Sequence, residues 1–259
     1  MTLFFVLSVQ TKLIEPLKKT LIIAALLLAV FLPTMAQYEQ NIIQRLPQVD
    51  NKRWHFGFIL GLNMADFTTA PNTNWVDKDG NTWYSASAGL APAFNVGMIV
   101  DLRLVEYLNL RFTPSLGLGQ RNISYTCYNP EGVIIPDKTT SIPIQTTTID
   151  VPFFLKYSAR RYGNVRPYII VGGGPQFNVY LNPEDPILLK PFDVQIAFGI
   201  GFNIYTEYFK LCPEIKFGFG LLDQLNQNHP EIEGTLYEPY TYSVSKLTSR
   251  VLSITFNFE

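Results

Sequence analysis

The sequence has few charged residues and few cysteines. Charged side chains make up 16% of its 259 residues, against about 25% in an average soluble domain. The 20 basic and 21 acidic residues nearly cancel, so the chain lacks the basic excess that nucleic-acid binding requires. Two cysteines, Cys127 and Cys212, are too few for a disulfide framework, and we expect both to be unpaired. These shortages argue against a nucleic-acid-binding protein and against a cysteine-rich secreted domain.

Long hydrophobic runs are also missing. The most apolar stretch, residues 21–32, is shorter than the ~18–20 residues that a membrane-spanning helix needs. Lys18 and Lys19 precede it and small residues ending at Ala36 follow it, which is the pattern of a secretory signal peptide. We therefore predict that residues 1–36 are a cleaved signal peptide. No cysteine follows the run, so a lipoprotein anchor is not expected.

Patterns typical of enzymes are sparse as well. The two histidines, His55 and His229, are expected at opposite ends of the fold. The acidic neighbours of His229 in the sequence are Asp223, Glu231 and Glu233. They would allow an Asp–His protease arrangement, although a solvated acidic loop explains the same residues. No Cys/His group has the spacing of metal ligands, and we predict no enzymatic activity, no cofactor and no small-molecule substrate.

What the sequence does contain is a repeated alternation of apolar and polar residues. In residues 54–64 every even position is apolar, and the odd positions are small or polar apart from Ile59. Alternation places the two sets on opposite faces of a strand. The pattern recurs in seven further segments: 89–103, 108–121, 149–158, 168–179, 194–204, 209–221 and 251–258. We predict an all-β protein, a single eight-stranded antiparallel transmembrane β-barrel over residues 54–259, in the bacterial outer membrane.

The strands of a soluble β-sandwich also alternate, but two features favour the membrane. The apolar faces run for roughly 9–11 residues, the length of a tilted transmembrane strand. The opposite faces are rich in Gly, Asn, Arg and Lys, as in a narrow polar lumen. An open sheet edge would leave unpaired backbone groups in lipid, so the strands must close into a barrel. Outer-membrane lipid is therefore the expected surrounding.

The predicted strands carry charges and prolines that a barrel must accommodate. The charged side chains expected to face the lumen are Asp101, Arg103, Arg111, Asp150, Lys156, Glu214 and Lys216. The interior of an eight-stranded barrel is barely wide enough for its own side chains, so we expect a plug of paired charges and not a conducting path. The prolines at 92, 114, 152, 175 and 213 each remove a ladder hydrogen bond, and we expect them near strand ends or bulges.

The lengths of the connections predict the orientation. Short connections at 105–106, 160–164 and 206–208 alternate with longer ones at 67–87, 122–144, 182–191 and 223–248. Outer-membrane barrels have short periplasmic turns and longer extracellular loops. Both termini, including a periplasmic segment at 37–53, are therefore expected in the periplasm. The C-terminal sequence FNFE resembles the aromatic end that the barrel-assembly machinery reads, with Glu259 as a departure after the last Phe.

Several short motifs resemble the PorT family of outer-membrane β-barrels of Bacteroidetes. The matching segments are HFGF and LGLN at 55–58 and 60–63, LRFTP at 110–114, VP at 151–152 with KY at 156–157, NVRPY at 164–168 and YFKLCPEIK at 208–216. The resemblance implies a non-enzymatic accessory of the type IX secretion system, which exports proteins and supports gliding motility in some species. It brings no catalytic or binding residues. Other type IX components are the implied partners.

Within the resembling segments, Tyr208, Lys210 and Glu214 are our candidates for contact with a partner protein, together with the periplasmic segment. Two alternative functions stay open on the sequence alone. One is a stand-alone barrel that binds ligands or mediates adhesion through its extracellular loops, or a small porin. The other is a barrel enzyme, for which the neighbourhood of His229 is the only candidate.

Overall fold

The computed structural model describes residues 43–183, 185–228, 230–232, 234–235 and 237–259. The predicted signal peptide and His229 lie outside these residues. The unit from Gln44 to Glu259 is compact. Its strands are β1 (Trp54–Pro71), β2 (Thr82–Ser87), β3 (Ala91–Arg103), β4 (Leu108–Phe112), β5 (Ser115–Tyr128), β6 (Thr140–Asp150), β7 (Phe153–Ser158), β8 (Val165–Asn178), β9 (Phe192–Tyr205), β10 (Lys210–Gly220) and β11 (Val244–Phe258). A short helix, α1, spans Glu238–Tyr242, and 3-10 turns form at Val49–Asn51, Pro136–Lys138 and Pro230–Ile232.

The strands close into a barrel whose wall has eight positions. Strands β4 and β5 occupy one position, because both pair with β3 in the same register, at Val100↔Phe112 and at Gly97↔Ser115. Strands β6 and β7 likewise share one position along β8. The ring closes because β1 pairs with both β3 and β11, and β8 pairs with β9. The predicted eight-stranded antiparallel barrel is confirmed.

The outer face of the barrel is apolar and the inner face is polar, as the alternation predicts. On β1 and β3, Phe56 and Met98 are 67% and 65% exposed, whereas Asp101 is fully buried. Arg111 on β4 is fully buried as well. A continuous apolar belt of this extent is typical of a surface that contacts lipid. Ile59, the exception in the first alternating segment, is buried in the lumen.

Prolines interrupt neighbouring positions of the wall. Pro114 separates β4 from β5, and Pro152 separates β6 from β7. Their carbonyl oxygens still accept hydrogen bonds, from the Met98 amide at 3.0 Å and from the Thr113 amide at 3.3 Å, respectively. Pro92 lies at the start of β3, as expected, whereas Pro175 and Pro213 lie inside β8 and β10. Each of these two lies only three residues from an end of its strand, as expected, and the strand continues across the proline.

The short connections form tight turns and the long ones are partly folded. The Thr206 amide donates to the Phe209 carbonyl at 3.0 Å, which closes the third turn. We call the end with the three short connections the turn end and the opposite end the loop end. Two of the long connections are shorter than predicted, because β1 and β5 extend the wall beyond the apolar belt and β2 pairs with β5.

A hydrophobic core closes the barrel at the loop end. Its buried members, which we call the loop-end core, are Phe67, Trp83, Ile123, Tyr125, Cys127, Ile144, Ile187, Leu189, Leu225, Val244 and Leu247. The ring of Tyr240, in α1, packs edge-on against Trp83 and Tyr125. Burying these aromatic and aliphatic side chains stabilises the extended strands by about 1.5–3 kcal/mol each. The strands extend beyond the apolar belt because their inward-facing apolar side chains are buried in this core.

Candidate functional site

A cluster of buried ion pairs occupies the half of the lumen near the turn end. Its centre is Arg111, whose guanidinium contacts three carboxylates. The Nε atom donates to Asp101 at 2.9 Å, Nη1 donates to Glu214 at 2.5 Å, and Nη2 donates to Glu259. All four side chains are at most 1% exposed. Three carboxylates around one guanidinium satisfy the hydrogen-bonding capacity that burial would otherwise leave unpaired.

Lysines and a tyrosine complete the ion-pair cluster. Lys210 pairs with Glu259, Lys216 lies 3.0 Å from Glu214, and Lys156 lies 3.7 Å from Asp101. The Tyr168 hydroxyl donates to Glu214 at 2.7 Å. Five of the seven charges expected in the lumen belong to this cluster: Asp101, Arg111, Lys156, Glu214 and Lys216. Paired charges therefore fill this half of the lumen, as predicted.

Two of the seven expected lumen charges are not in the ion-pair cluster. Lys210 and Glu259, which are not among those seven, belong to it. Arg103 lies at the turn end, where it donates to Asn51 at 3.4 Å. Asp150 lies deeper and accepts from Gln176 at 2.5 Å. Glu259, which departs from the usual aromatic end of a barrel, is drawn into the lumen by Arg111 and the lysines. The alternation along their strands places Lys210 and Glu259 on the inward face, and their position in the lumen could have been predicted from it.

The segment before β1 folds across the turn end. Asp50 accepts a hydrogen bond from the Tyr205 hydroxyl at 2.7 Å, and it lies 3.8 Å from both Arg161 and Arg166. The imidazole Nε2 of His55 is 2.7 Å from the Val49 carbonyl oxygen. These contacts hold residues 45–53, which were predicted to be periplasmic, against the short turns of the barrel.

The three candidates for partner contact are in different surroundings. Tyr208 is 88% exposed on the third short turn, so its predicted role stays a prediction. Lys210 and Glu214 are only 3% and 2% exposed, because both are neutralised inside the ion-pair cluster. Neither side chain offers a surface to a second protein. Beside Tyr208, the exposed pair of Arg45 and Glu207, with atoms 3.3 Å apart, belongs to the same surface.

Of the residues considered for catalysis, His229 and Glu233 lie outside the residues that the structure describes. Asp223 accepts hydrogen bonds from the amides of Leu225 and Leu247, at 3.2 Å and 2.9 Å, and so has a structural role at the loop end. No group of His, Cys, Asp and Glu among the described residues could hold a metal ion. No helix in the same residues is long and apolar enough to cross a membrane.

The two cysteines lie in separate parts of the barrel, and both are free thiols. Cys127 lies opposite Trp83 on β2 and belongs to the loop-end core. Cys212 lies in the ion-pair half of the lumen, with its sulfur 3.1 Å from Asn203 Oδ1. Because they belong to clusters at opposite ends, a disulfide between them would require a different topology.

Comparison with known proteins agrees with this architecture. The family model described as outer membrane protein beta-barrel domain matches residues 35–226, about three quarters of the chain. The chain belongs to the outer-membrane protein β-barrel family. The protein therefore resides in the outer membrane, where the apolar belt faces lipid. In this family's usual arrangement, the turn end faces the periplasm and the loop end faces the exterior.

A solved structure with a similar outline is the outer membrane protein OprG from Pseudomonas aeruginosa. It is 10% identical in sequence, with a TM-score of 0.39, over 78% of this chain and 94% of that one. No curated protein matches the chain.

Proposed function

We propose that this outer-membrane barrel is a non-enzymatic accessory of the type IX secretion system, in a role similar to that of PorT. Such a protein supports export and, in gliding species of the Bacteroidetes, motility. The observation that carries the proposal is where the PorT-like segments lie. Arg166, from the segment NVRPY, donates to the Glu106 carbonyl at the turn end. Tyr208 begins the segment YFKLCPEIK, on the same end. These segments build the periplasmic end and the lumen beneath it.

The two closures of the lumen support an accessory over a small porin. The ion-pair cluster around Arg111 fills the periplasmic half, and the loop-end core around Tyr125 covers the outer end. An exported protein domain is far wider than an eight-stranded barrel, whose interior holds only its own side chains. The proposed contribution to export is therefore made by the surface of the barrel. The other secretion components are its proposed partners.

The exposed periplasmic surface around Tyr208 is the proposed contact region, with Arg45, Glu207 and the exposed residues of the segment before β1. Tyrosine and arginine are common anchor residues of protein interfaces. Tyr208 is also an aromatic residue at a membrane interface, where such residues are frequent without any partner. An experiment must therefore separate export from barrel assembly.

Complementation of a deletion strain makes that separation. We expect Tyr208→Ala, combined with Arg45→Ala, to reduce export of proteins with a C-terminal signal domain while the amount of folded barrel in the outer membrane is unchanged. Tyr237→Ala is the matched control, since Tyr237 is 48% exposed at the loop end. Normal export in the deletion strain itself would contradict the proposal.

A binding function through the outer surface is the second candidate. The observation that favours it is that the loop end is folded, with a core and with Lys78 and Glu238 joined at 3.2 Å. A preorganised surface costs less to bind than mobile loops. If Tyr237→Ala abolished the phenotype of the protein while the Tyr208 variant behaved normally, this second function would replace the first.

A further inference from the structure

A pocket of about 270 Å³ opens at the turn end, between the folded segment before β1 and the first two short turns. Four arginines line it: Arg103, Arg160, Arg161 and Arg166. They come from the end of β3, from the second short turn and from the start of β8. The volume is slightly below the roughly 300–1,000 Å³ of pockets that enclose a whole small ligand. It is therefore suited to side chains that project from a larger partner.

Two of these arginines are fixed in the wall of the pocket. The guanidinium carbon of Arg161 lies 3.6 Å from the centre of the Tyr205 ring. Arg166 donates to the backbone carbonyls of Ala159 and Glu106, at 2.7 Å and 2.9 Å. Because an aromatic ring and carbonyl oxygens carry no net charge, these contacts hold the guanidinium groups without neutralising them.

Negative charge in the pocket is smaller than the positive charge. Asp50 lies 3.8 Å from both Arg161 and Arg166. Within the described part of the chain, these are the only ion pairs that the four arginines form. Glu106 also lines the pocket. Four cations therefore face two carboxylates, which leaves an excess of positive charge.

Arg103 and Arg160 are the two arginines that remain available to a ligand. Arg103 donates to the uncharged side-chain oxygen of Asn51 at 3.4 Å, and Arg160 is exposed. Among the residues that the structure describes, neither forms an ion pair. The planar guanidinium group presents paired N–H donors that match a carboxylate.

The pocket faces the periplasm and not the lipid. Arg103 follows Asp101 on the inward face of β3, and Arg166 precedes Tyr168 on the inward face of β8. Lipid contacts the opposite, outward face. The positive charge is confined to this end, since acidic residues outnumber basic ones in the four long connections and the whole chain has a net charge of -1. An acidic protein in the periplasm is therefore attracted to the turn end.

We propose that this pocket binds an acidic segment of a periplasmic partner protein, whose carboxylate side chains are held by Arg103 and Arg160. The proposal rests on the secretion role proposed above and adds the chemistry of the partner that docks at the turn end. The pocket is continuous with the surface around Tyr208, because Arg161 donates to the backbone carbonyl of Arg45.

Fluorescence anisotropy of a labelled oligoglutamate peptide, titrated with the full mature barrel in uncharged detergent micelles, tests the proposal. We expect the peptide to bind with an affinity that falls as sodium chloride is added, and the same peptide with Gln in place of Glu not to bind. Absence of oligoglutamate binding at low salt would overturn the proposal. Displacement by inorganic phosphate, at an ionic strength at which chloride has no effect, would assign the pocket to phosphorylated ligands and would also overturn it.

Two pairs of substitutions locate the binding site. Arg103→Gln with Arg160→Gln should weaken oligoglutamate binding by about tenfold, the effect expected from two partly exposed ion pairs. Lys78→Gln with Lys246→Gln is the matched control, since it removes two exposed charges at the loop end and should leave the affinity unchanged. If both pairs had the same effect, the peptide would respond to net charge only, which would contradict the proposal.

A gain of affinity covers the case in which the arginine variants fail to fold. Glu106→Gln removes a repulsive carboxylate from an exposed turn, and it should tighten oligoglutamate binding by about twofold to fivefold. Unchanged or weaker binding would count against the pocket.

These binding measurements need no secretion machinery, so the two proposals fail separately. Normal export in the deletion strain would refute the secretion role and leave the affinity of the pocket for acidic peptides standing. Lost peptide binding would refute the role of the pocket alone.

Discussion

At the scale of single residues, Arg111 is the buried cation that neutralises three carboxylates in the lumen. Replacing it with leucine leaves Asp101, Glu214 and Glu259 buried without their shared cation. Removing one partner of a buried ion pair typically costs about 3–5 kcal/mol. We expect Arg111→Leu to lower the free energy of unfolding in vesicles by at least that amount. Arg45→Leu, which removes the exposed pair with Glu207, should cost less than about 1 kcal/mol.

Equal stability of these two variants would contradict the description of the ion-pair cluster. It would mean that the three carboxylates are protonated or solvated when Arg111 is present, so that they need no cation.

The difference between the two faces of the wall is also testable at adjacent residues. Phe217 faces outward on β10 and is 44% exposed, whereas Gly218 faces the lumen. An arginine in the lipid-facing belt costs about 2–4 kcal/mol near the midplane, so Phe217→Arg should destabilise the barrel by that amount or more. Gly218→Ser should be mild, since a Cβ atom there would be no closer than 3.7 Å to its neighbours. Urea titration in vesicles measures both, and the reverse order would show that the register is wrong.

At the scale of strands, the prolines distinguish one side of the wall from the other. Pro114, Pro152 and Pro175 lie on neighbouring wall positions and cannot donate ladder hydrogen bonds. Between β1 and β11 the pairing runs without a shift from Phe58 to Ala70. We expect amides beside the prolines, in the first residues of β5 and β7, to exchange with deuterium faster than those in the middle of β1. Uniform exchange around the barrel would contradict this.

The sequence was sufficient to predict the strands inside the membrane, because lipid and lumen impose a strict alternation on them. It was not sufficient beyond the apolar belt. At the loop end, residues such as Ile123, Tyr125 and Cys127 face inward, so apolar side chains stand where polar ones stand in the membrane. Because the apolar and polar faces are exchanged there, a search for outward-facing apolar residues does not recognise these segments as strands and assigns them to loops. It is explained by a core that many separate segments form together, which no local pattern reveals.

The lumen could be predicted only in part for a related reason. Parity placed Arg111 and Glu214 inside, and both are there. Parity does not say which charges meet, since Arg111 and Glu259 are far apart in the sequence. Parity also directs Lys210 and Glu214 inward, but it does not show that both charges are fully paired inside the barrel. The exposed fractions of the side chains show that, of the three predicted contact residues, only Tyr208 is available at the surface.

At the scale of the whole molecule, side chains close the barrel at both ends. The ion-pair cluster fills one half of the lumen and the loop-end core covers the other end, with a cavity of about 100 Å³ between them. We propose that such a barrel acts through its surfaces. The proposed accessory role is consistent with closure, whereas a small porin needs an open path for ions.

Conductance across a planar lipid bilayer tests this central claim most directly. The refolded protein is inserted into the bilayer and the current is recorded at fixed voltage, with an open outer-membrane porin as the positive control. Closure at both ends predicts no unitary current steps from the unaltered barrel. Stable, reproducible steps from correctly folded protein would contradict it, because ions would then have a path past Arg111 and Tyr125.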